Sequence, residues 1–291
     1  MKSPFVNLAC AIICAGFYGQ VANAEEVHYD VFVTASGTNL VIGGYDDDAT
    51  VAIVPEGQMR VFGGEVIGSG TTAAFESPNP GEPGFRASTQ SSLNNPSIMT
   101  PANTYSALAG STPLTFNFQP ITIGSVTRNL YFWDGTGGVD FSPVVSSVVL
   151  GLEKKGTGGW TSSINGSSAG IVGGNTIQDT GATGSVHTHF YTSIANNGVA
   201  PDQGFYLYSL QLQMTGYASS DPLYFVFGAL DPLALAPQFA DFAAFEAAHG
   251  LAEGWVESNL VAVPEPSSFA LAGLGAAGLA GAALRRRMRK Q

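Results

Sequence analysis

From Val27 the chain alternates, with Val27, Tyr29, Val31 and Val33 falling on one face and His28, Asp30 and Phe32 on the other. A period of two is the mark of a β-strand. Similar short runs follow at 39–42, 50–54 and 59–67, punctuated by Gly43-Gly44, Glu56-Gly57 and Gly63-Gly64, which predict hairpins or bulges. Strands are predicted again at 114–118, 121–123, 129–133 and 144–152, the last so apolar that burial on both faces is expected. Three strong strands, 186–194, 204–214 and 223–230, close the series.

Two stretches break the pattern. Residues 76–111 carry Pro78, Pro80, Pro83, Pro96 and Pro101 and few large apolar residues besides Phe85 and Tyr105, which predicts a long surface loop. Residues 156–184 are rich in Gly and Ser, with Trp160, Ile164, Ile171 and Ile177 as sparse anchors. One helix is predicted late, where Phe239, Phe242 and Phe245 recur among alanines and Gly250 offers a stop. His249 then falls near a helix end and suits the dipole there. Many short strands, turn residues between them and no helices between strands predict an all-β fold. It reads as a β-sandwich or jelly-roll-like domain with one late short helix.

The two ends read as addresses. Lys2, an apolar segment at 8–17 and Ala22-Asn23-Ala24 form a signal peptide over residues 1–24. The exported β domain is expected at 25–260. Residues 261–291 hold Pro264-Glu265-Pro266, an apolar run at 269–284, and then Arg285, Arg286 and Arg287. This order resembles the PEP-CTERM sorting signal of Gram-negative bacteria. The resemblance implies an exosortase-type membrane protease as partner, transient anchoring in the inner membrane, and delivery to the cell surface or extracellular matrix. As a membrane-sorting helix the run would reach roughly 24 Å, short of a hydrocarbon core of about 30 Å, which suits a transient stop.

Composition narrows the chemistry of what lies between. Cys10 and Cys14 both fall in the signal peptide, so the exported part has no disulfide and no thiolate metal ligand. It keeps five basic residues (Arg60, Arg86, Arg128, Lys154 and Lys155) against 21 acidic ones. Such acidity speaks against nucleic acid as a partner and suits divalent cations.

The candidate chemistry is histidine. His28 and Asp30 share one face of the first strand, and His187 and His189 share a face of a later one, because residues two apart on a strand point the same way. Imidazoles from two strands with a carboxylate nearby are a way to bind zinc or another divalent cation. A solvated polar face is the other reading of the same residues. Gly181, His187 and His189 are spaced like the first half of a cupin metal motif, but the expected Glu and the second motif are missing. His28-Tyr29-Asp30, the run 184–189 with its two histidines, and the aromatic strand at 220–227 together resemble a group of PEP-CTERM surface proteins. That resemblance implies a link to zinc-starvation control.

Other candidates carry less. Asp46-Asp47-Asp48 could face calcium but lacks EF-hand spacing, so a solvated turn is expected. Trp133, Trp160 and Trp255 could stack on sugars, although core positions are the commoner use of such residues. No His-Glu-x-x-His motif and no cysteine nucleophile occurs in the exported part. A non-enzymatic surface protein is therefore expected. A carbohydrate-binding or polysaccharide-processing protein of the extracellular matrix, with extracellular polysaccharide as partner, is the alternative.

Overall fold

The computed structural model describes residues 29–55, 58–68, 73–78, 81–156 and 158–261. In chain order it holds β1 (Asp30–Ser36), β2 (Asn39–Asp46), β3 (Val51–Ile53), β4 (Val61–Ile67), β5 (Ala74–Glu76) and β6 (Phe85–Ala87). A short α1 (Gln90–Leu93) precedes β7 (Met99–Thr100), β8 (Pro113–Gln119), β9 (Ile121–Ile123), β10 (Val126–Arg128), β11 (Tyr131–Trp133) and β12 (Ser142–Pro143). There follow β13 (Val148–Lys154), β14 (Trp160–Asn165), β15 (Val172–Asp179), β16 (Val186–Thr188), β17 (Tyr191–Asn196), β18 (Gly204–Met214) and β19 (Leu223–Leu230). The last element is α2 (Phe242–Asn259). The fold is all-β with one late helix of 18 residues.

Two sheets pack face to face. The smaller has six strands in the order β16-β6-β1-β2-β3-β7. The larger has 11, running β12-β11-β18-β19-β4-β5-β17-β13-β14, with β8 joining β18 and β15 joining β8. Between them lies the main core. Val31, Val33, Ile42 and Phe85 reach in from the small sheet to meet Phe116, Leu150, Tyr208 and Phe225 of the large one. Tyr208 stacks on Phe225 with ring centroids 5.1 Å apart. A second core lies between the large sheet and α2, and a third covers the outer face of the small sheet, where Phe32 and Tyr45 meet Leu93 and Met99.

Several sequence expectations change here, each for a physical reason. The stretch 76–111 is not simply a surface loop, because it contributes β6 to the interior of the small sheet. Phe85 is 1% exposed and anchors that strand between β1 and β16. Residues 156–184 contain β14 and β15, held by Trp160, whose indole donates to the carbonyl of Thr176 at 2.7 Å. The strand expected at 186–194 divides in two: β16 belongs to the small sheet and β17 to the large one, so the chain changes sheets at His189 and Phe190. The apolar stretch around β13 is half-exposed by alternation, with Leu150 sealed and Val149 37% exposed.

The paired glycines are not turns. Gly43 and Gly44 lie within β2, and Gly63 and Gly64 within β4. A Cβ on Gly43 would come within 2.2 Å of the Ile53 carbonyl oxygen, and one on Gly64 within 2.7 Å of the Phe227 ring. They mark close approach of neighbouring chains. The helix also differs. Asp241 caps it by accepting from the Ala244 amide at 2.8 Å, and it runs through Gly250 to Asn259. Its buried stripe is Phe245, Ala248, His249, Ala252 and Val256. His249 is therefore not a terminal dipole partner. It is fully buried in mid-helix, stacks on Phe205, and donates from Nε2 to the Val226 carbonyl at 2.9 Å.

The alternation in β13 sets an expected contrast. Leu150→Ala should cost about 2–5 kcal/mol through the cavity it leaves, whereas Val149→Thr on the outer face should stay within about 0.5 kcal/mol. Urea unfolding of the two variants measures this, and equal losses would contradict the assigned faces.

Candidate metal centre

Three strands of the small sheet build the site. In β1–β6 pairing Val31 lies beside Phe85 and Phe32 beside Arg86, and in β6–β16 pairing Phe85 lies beside Thr188 and Arg86 beside His187. Continuing both registers by one residue puts Asp30, Gly84 and His189 in a single row across the sheet. Their side chains point to the same face, away from the main core, as does His187 two residues before His189. Gly84 occupies the middle of the row. A Cβ there would lie 2.6 Å from His189 Nδ1 and 2.7 Å from Asp30 Oδ1, so the two side chains meet only because residue 84 has none.

Asp30, His187 and His189 thus converge, each offering one ligand atom within 4.8 Å of the others. Nε2 of His189 lies 3.1 Å from Nε2 of His187. Two imidazole nitrogens on one tetrahedral zinc, at about 2.0–2.1 Å each, stand roughly 3.3 Å apart. The existing spacing is close to that bite. His189 Nδ1 is 3.0 Å from the Gly81 carbonyl oxygen. A carbonyl only accepts, so Nδ1 donates to it, and in the neutral form of the ring Nε2 is the bare nitrogen facing the site. A backbone partner of this kind orients metal-ligating histidines in general.

Asp30 is the unusual member. It is 4% exposed. Its Oδ1 accepts from the Gly84 amide, and its Oδ2 is buried without a hydrogen-bond partner. A buried carboxylate oxygen left unpaired is costly, and the group responds by holding its proton. Burial pushes Asp30 up to about 6, against the opposing pull of His189 and the Gly84 amide and with Asp47 adding to the rise. His187 moves the other way. Partial burial lowers it first, and the charges of Arg86 and His189 lower it further against a smaller opposing effect of Asp47. A lowered imidazole is neutral near pH 7, and its Nε2–H donates to the bare Nε2 of His189 at 3.1 Å.

Arg86 and Asp47 frame the site. Arg86 is ion-paired with Asp47 and lies over the Tyr45 ring at 3.9 Å from its centroid. Asp47 is thereby engaged by Arg86, and Asp46 Oδ1 accepts from the Ala49 amide at 2.8 Å, which makes the acidic triplet a capped turn. The tryptophans are packing residues. Trp133 is buried, Trp160 packs on Phe116 and Phe190, and Trp255 on Phe141.

The structure thus unites three of the four residues singled out for metal, Asp30, His187 and His189. His28 lies outside the described residues. Sequence reasoning missed Gly84, Gly81 and Arg86, which sit in the stretch taken for a loop. The one available signal was Phe85, a large apolar residue set between glycine and arginine.

Residues 262–287 match the family model of the PEP-CTERM protein-sorting motif. The match takes in Pro264, Glu265 and Pro266 together with Arg285, Arg286 and Arg287, all outside the described residues. Among the described residues no helix is long and apolar enough to cross a membrane. No curated protein and no solved structure matches the chain.

The buried acid has a measurable consequence. A carboxyl whose folded value stands above its ordinary 3.8 stabilises the fold fully below about 4 and loses that contribution as pH rises through about 6. At pH 7.5 the metal-free protein therefore carries a penalty on the order of 2–3 kcal/mol. Asp30→Asn should remove it and raise Tm in chelator by roughly 4–12 °C at pH 7.5, with little difference at pH 4. Thermal melts at both pH values check this, and a lower Tm for the variant at pH 7.5 would contradict it.

Proposed function

We propose that this PEP-CTERM protein, exported and sorted by exosortase, is a non-enzymatic binder of a divalent metal, with zinc held by Asp30, His187 and His189. The observation that carries the reading is the buried Asp30 Oδ2, which has no partner of its own and stands beside two imidazoles at the spacing of zinc ligands. A cation would supply that partner and repay the cost of ionising the carboxylate. The donor set of two nitrogens and one oxygen suits zinc, with a further position left for another ligand. After sorting, the cell surface or extracellular matrix is the proposed destination, in keeping with an acidic exported domain.

The absence of cysteine from residues 25–291 suits such a site. Oxidation has no thiolate ligand to attack, and affinity depends on pH through the imidazoles and Asp30. Protons compete for all three ligands. Binding should therefore be strong at pH 7.5 and fade as pH falls through about 6, where Asp30 takes up its proton.

Isothermal titration of the purified full chain at pH 7.5 should show one zinc per chain. His187→Ala and His189→Ala should each weaken it by at least about a hundredfold, more than loss of an outer partner would. Gly84→Ala, which keeps every ligand but places a methyl group between Asp30 and His189, should cost roughly tenfold or more. A wild-type protein that takes up no zinc, or a double histidine variant that binds it as well, would overturn the reading.

A further inference from the structure

Beside the proposed metal position lies a cleft of about 430 Å³, and His187 belongs to both. A volume of this size admits a monosaccharide or a small organic acid. Its walls include Arg86, Ser88, Gln178 and Ser185, and none of the lining residues is acidic. That is notable in a part of the chain holding 21 acidic residues against five basic ones. One of those five, Arg86, lines the cleft beside the proposed metal site.

The register makes the two neighbours. Arg86 on β6 lies directly opposite His187 on β16. Side chains at opposed positions of an antiparallel pair start about 5 Å apart. One Nη1 of Arg86 is engaged by Asp47, but a guanidinium carries five donors, so that pair does not exhaust it. Zinc with Asp30 as its one anionic ligand keeps a net positive charge and an open coordination position. A carboxylate fits between the two cations: one oxygen on the metal, the other on Arg86. Ser88, Ser185 and Gln178, which also line the cleft, offer donors and acceptors suited to hydroxyl groups.

Resting on the metal reading, we propose that the zinc-loaded cleft binds a hydroxylated carboxylate, with the acid group bridging zinc and Arg86 and the hydroxyls meeting Ser88, Ser185 and Gln178. A uronic acid has this chemistry, whether free or as a unit of an acidic polysaccharide. The recognition needs no aromatic platform, so it is compatible with Trp133, Trp160 and Trp255 serving as packing residues.

The test titrates the full chain at pH 8, first with zinc alone and then, zinc-loaded, with D-glucuronate, D-glucose and a polyglucuronate. Glucuronate should bind at least tenfold more tightly than glucose, and at least tenfold more tightly with zinc than after chelation. Arg86→Gln should lose most of this binding while zinc affinity stays within about threefold. Gln178→Leu, on another strand and away from the metal, should weaken glucuronate several-fold and leave zinc unchanged, which guards against a misfolded Arg86 variant. Binding of the polymer as well as the monomer assigns the ligand to a polysaccharide, and binding of the monomer alone assigns it to a free acid. Zinc uptake with equal response to glucuronate and glucose, or undiminished binding in both variants, overturns the cleft proposal alone. Absence of zinc uptake overturns the metal reading and this inference together.

Discussion

Between β1 and β16 the chain inserts a third strand, and everything at the site depends on what that strand presents in the row shared by Asp30 and His189. Any side chain at position 84 would keep the two apart, since a Cβ would fall within 2.7 Å of atoms on both. Gly84 also supplies the amide that holds Asp30 Oδ1, and its own carbonyl accepts from the Val31 amide at 2.9 Å. The same few residues provide the Gly81 carbonyl that fixes the His189 ring. A segment of four residues therefore spaces, orients and partly desolvates Asp30 and His189. Its glycines are there for room, not for turning.

The site is also tied to the core through a single peptide. His189 and Phe190 are the two residues over which the chain crosses from the small sheet to the large one. His189 faces outward to Asp30, while Phe190 is buried against Phe85, Phe116 and Trp160 at centroid distances of 4.9, 5.8 and 4.8 Å. Aromatic contacts of this kind hold position as well as bury area. The imidazole is thus carried by a backbone with little freedom, as a preorganised ligand requires. Its placement follows from packing on the other side of the sheet.

Much of this was legible in the sequence. β18 and β19 have the bounds that alternation predicts, because both are long and apolar. The pairing of His187 with His189 followed from the period of two, as did the face of Asp30. What a period could not supply was adjacency, since β1 and β16 are joined only through β6, and β6 has three residues inside a proline-rich stretch. The glycine pairs misled for a related reason. Missing side chains in β2 and β4 answer to atoms of distant segments, such as Ile53 and Phe227, and no local pattern encodes those neighbours. The helix was misjudged at Gly250 because that residue lies on the exposed side, where a glycine costs only about 1 kcal/mol and the stripe through Val256 carries the helix past it.

Fold stability and the proposed metal site pull against each other at Asp30. An exported domain without disulfides relies on burial, yet it keeps a buried acid with an oxygen unpaired in the absence of metal. A hydrophobic or amide side chain in that position would serve the fold better at neutral pH. Such penalties persist where the arrangement does something else, and a cation is the partner whose charge and position would remove this one. Binding would then stabilise the fold by an amount set by free metal relative to its dissociation constant. Because the ligands come from β1 and from the crossing between sheets, that gain would fall at the junction of the two sheets, where His189 and Phe190 already join the outer face to the core.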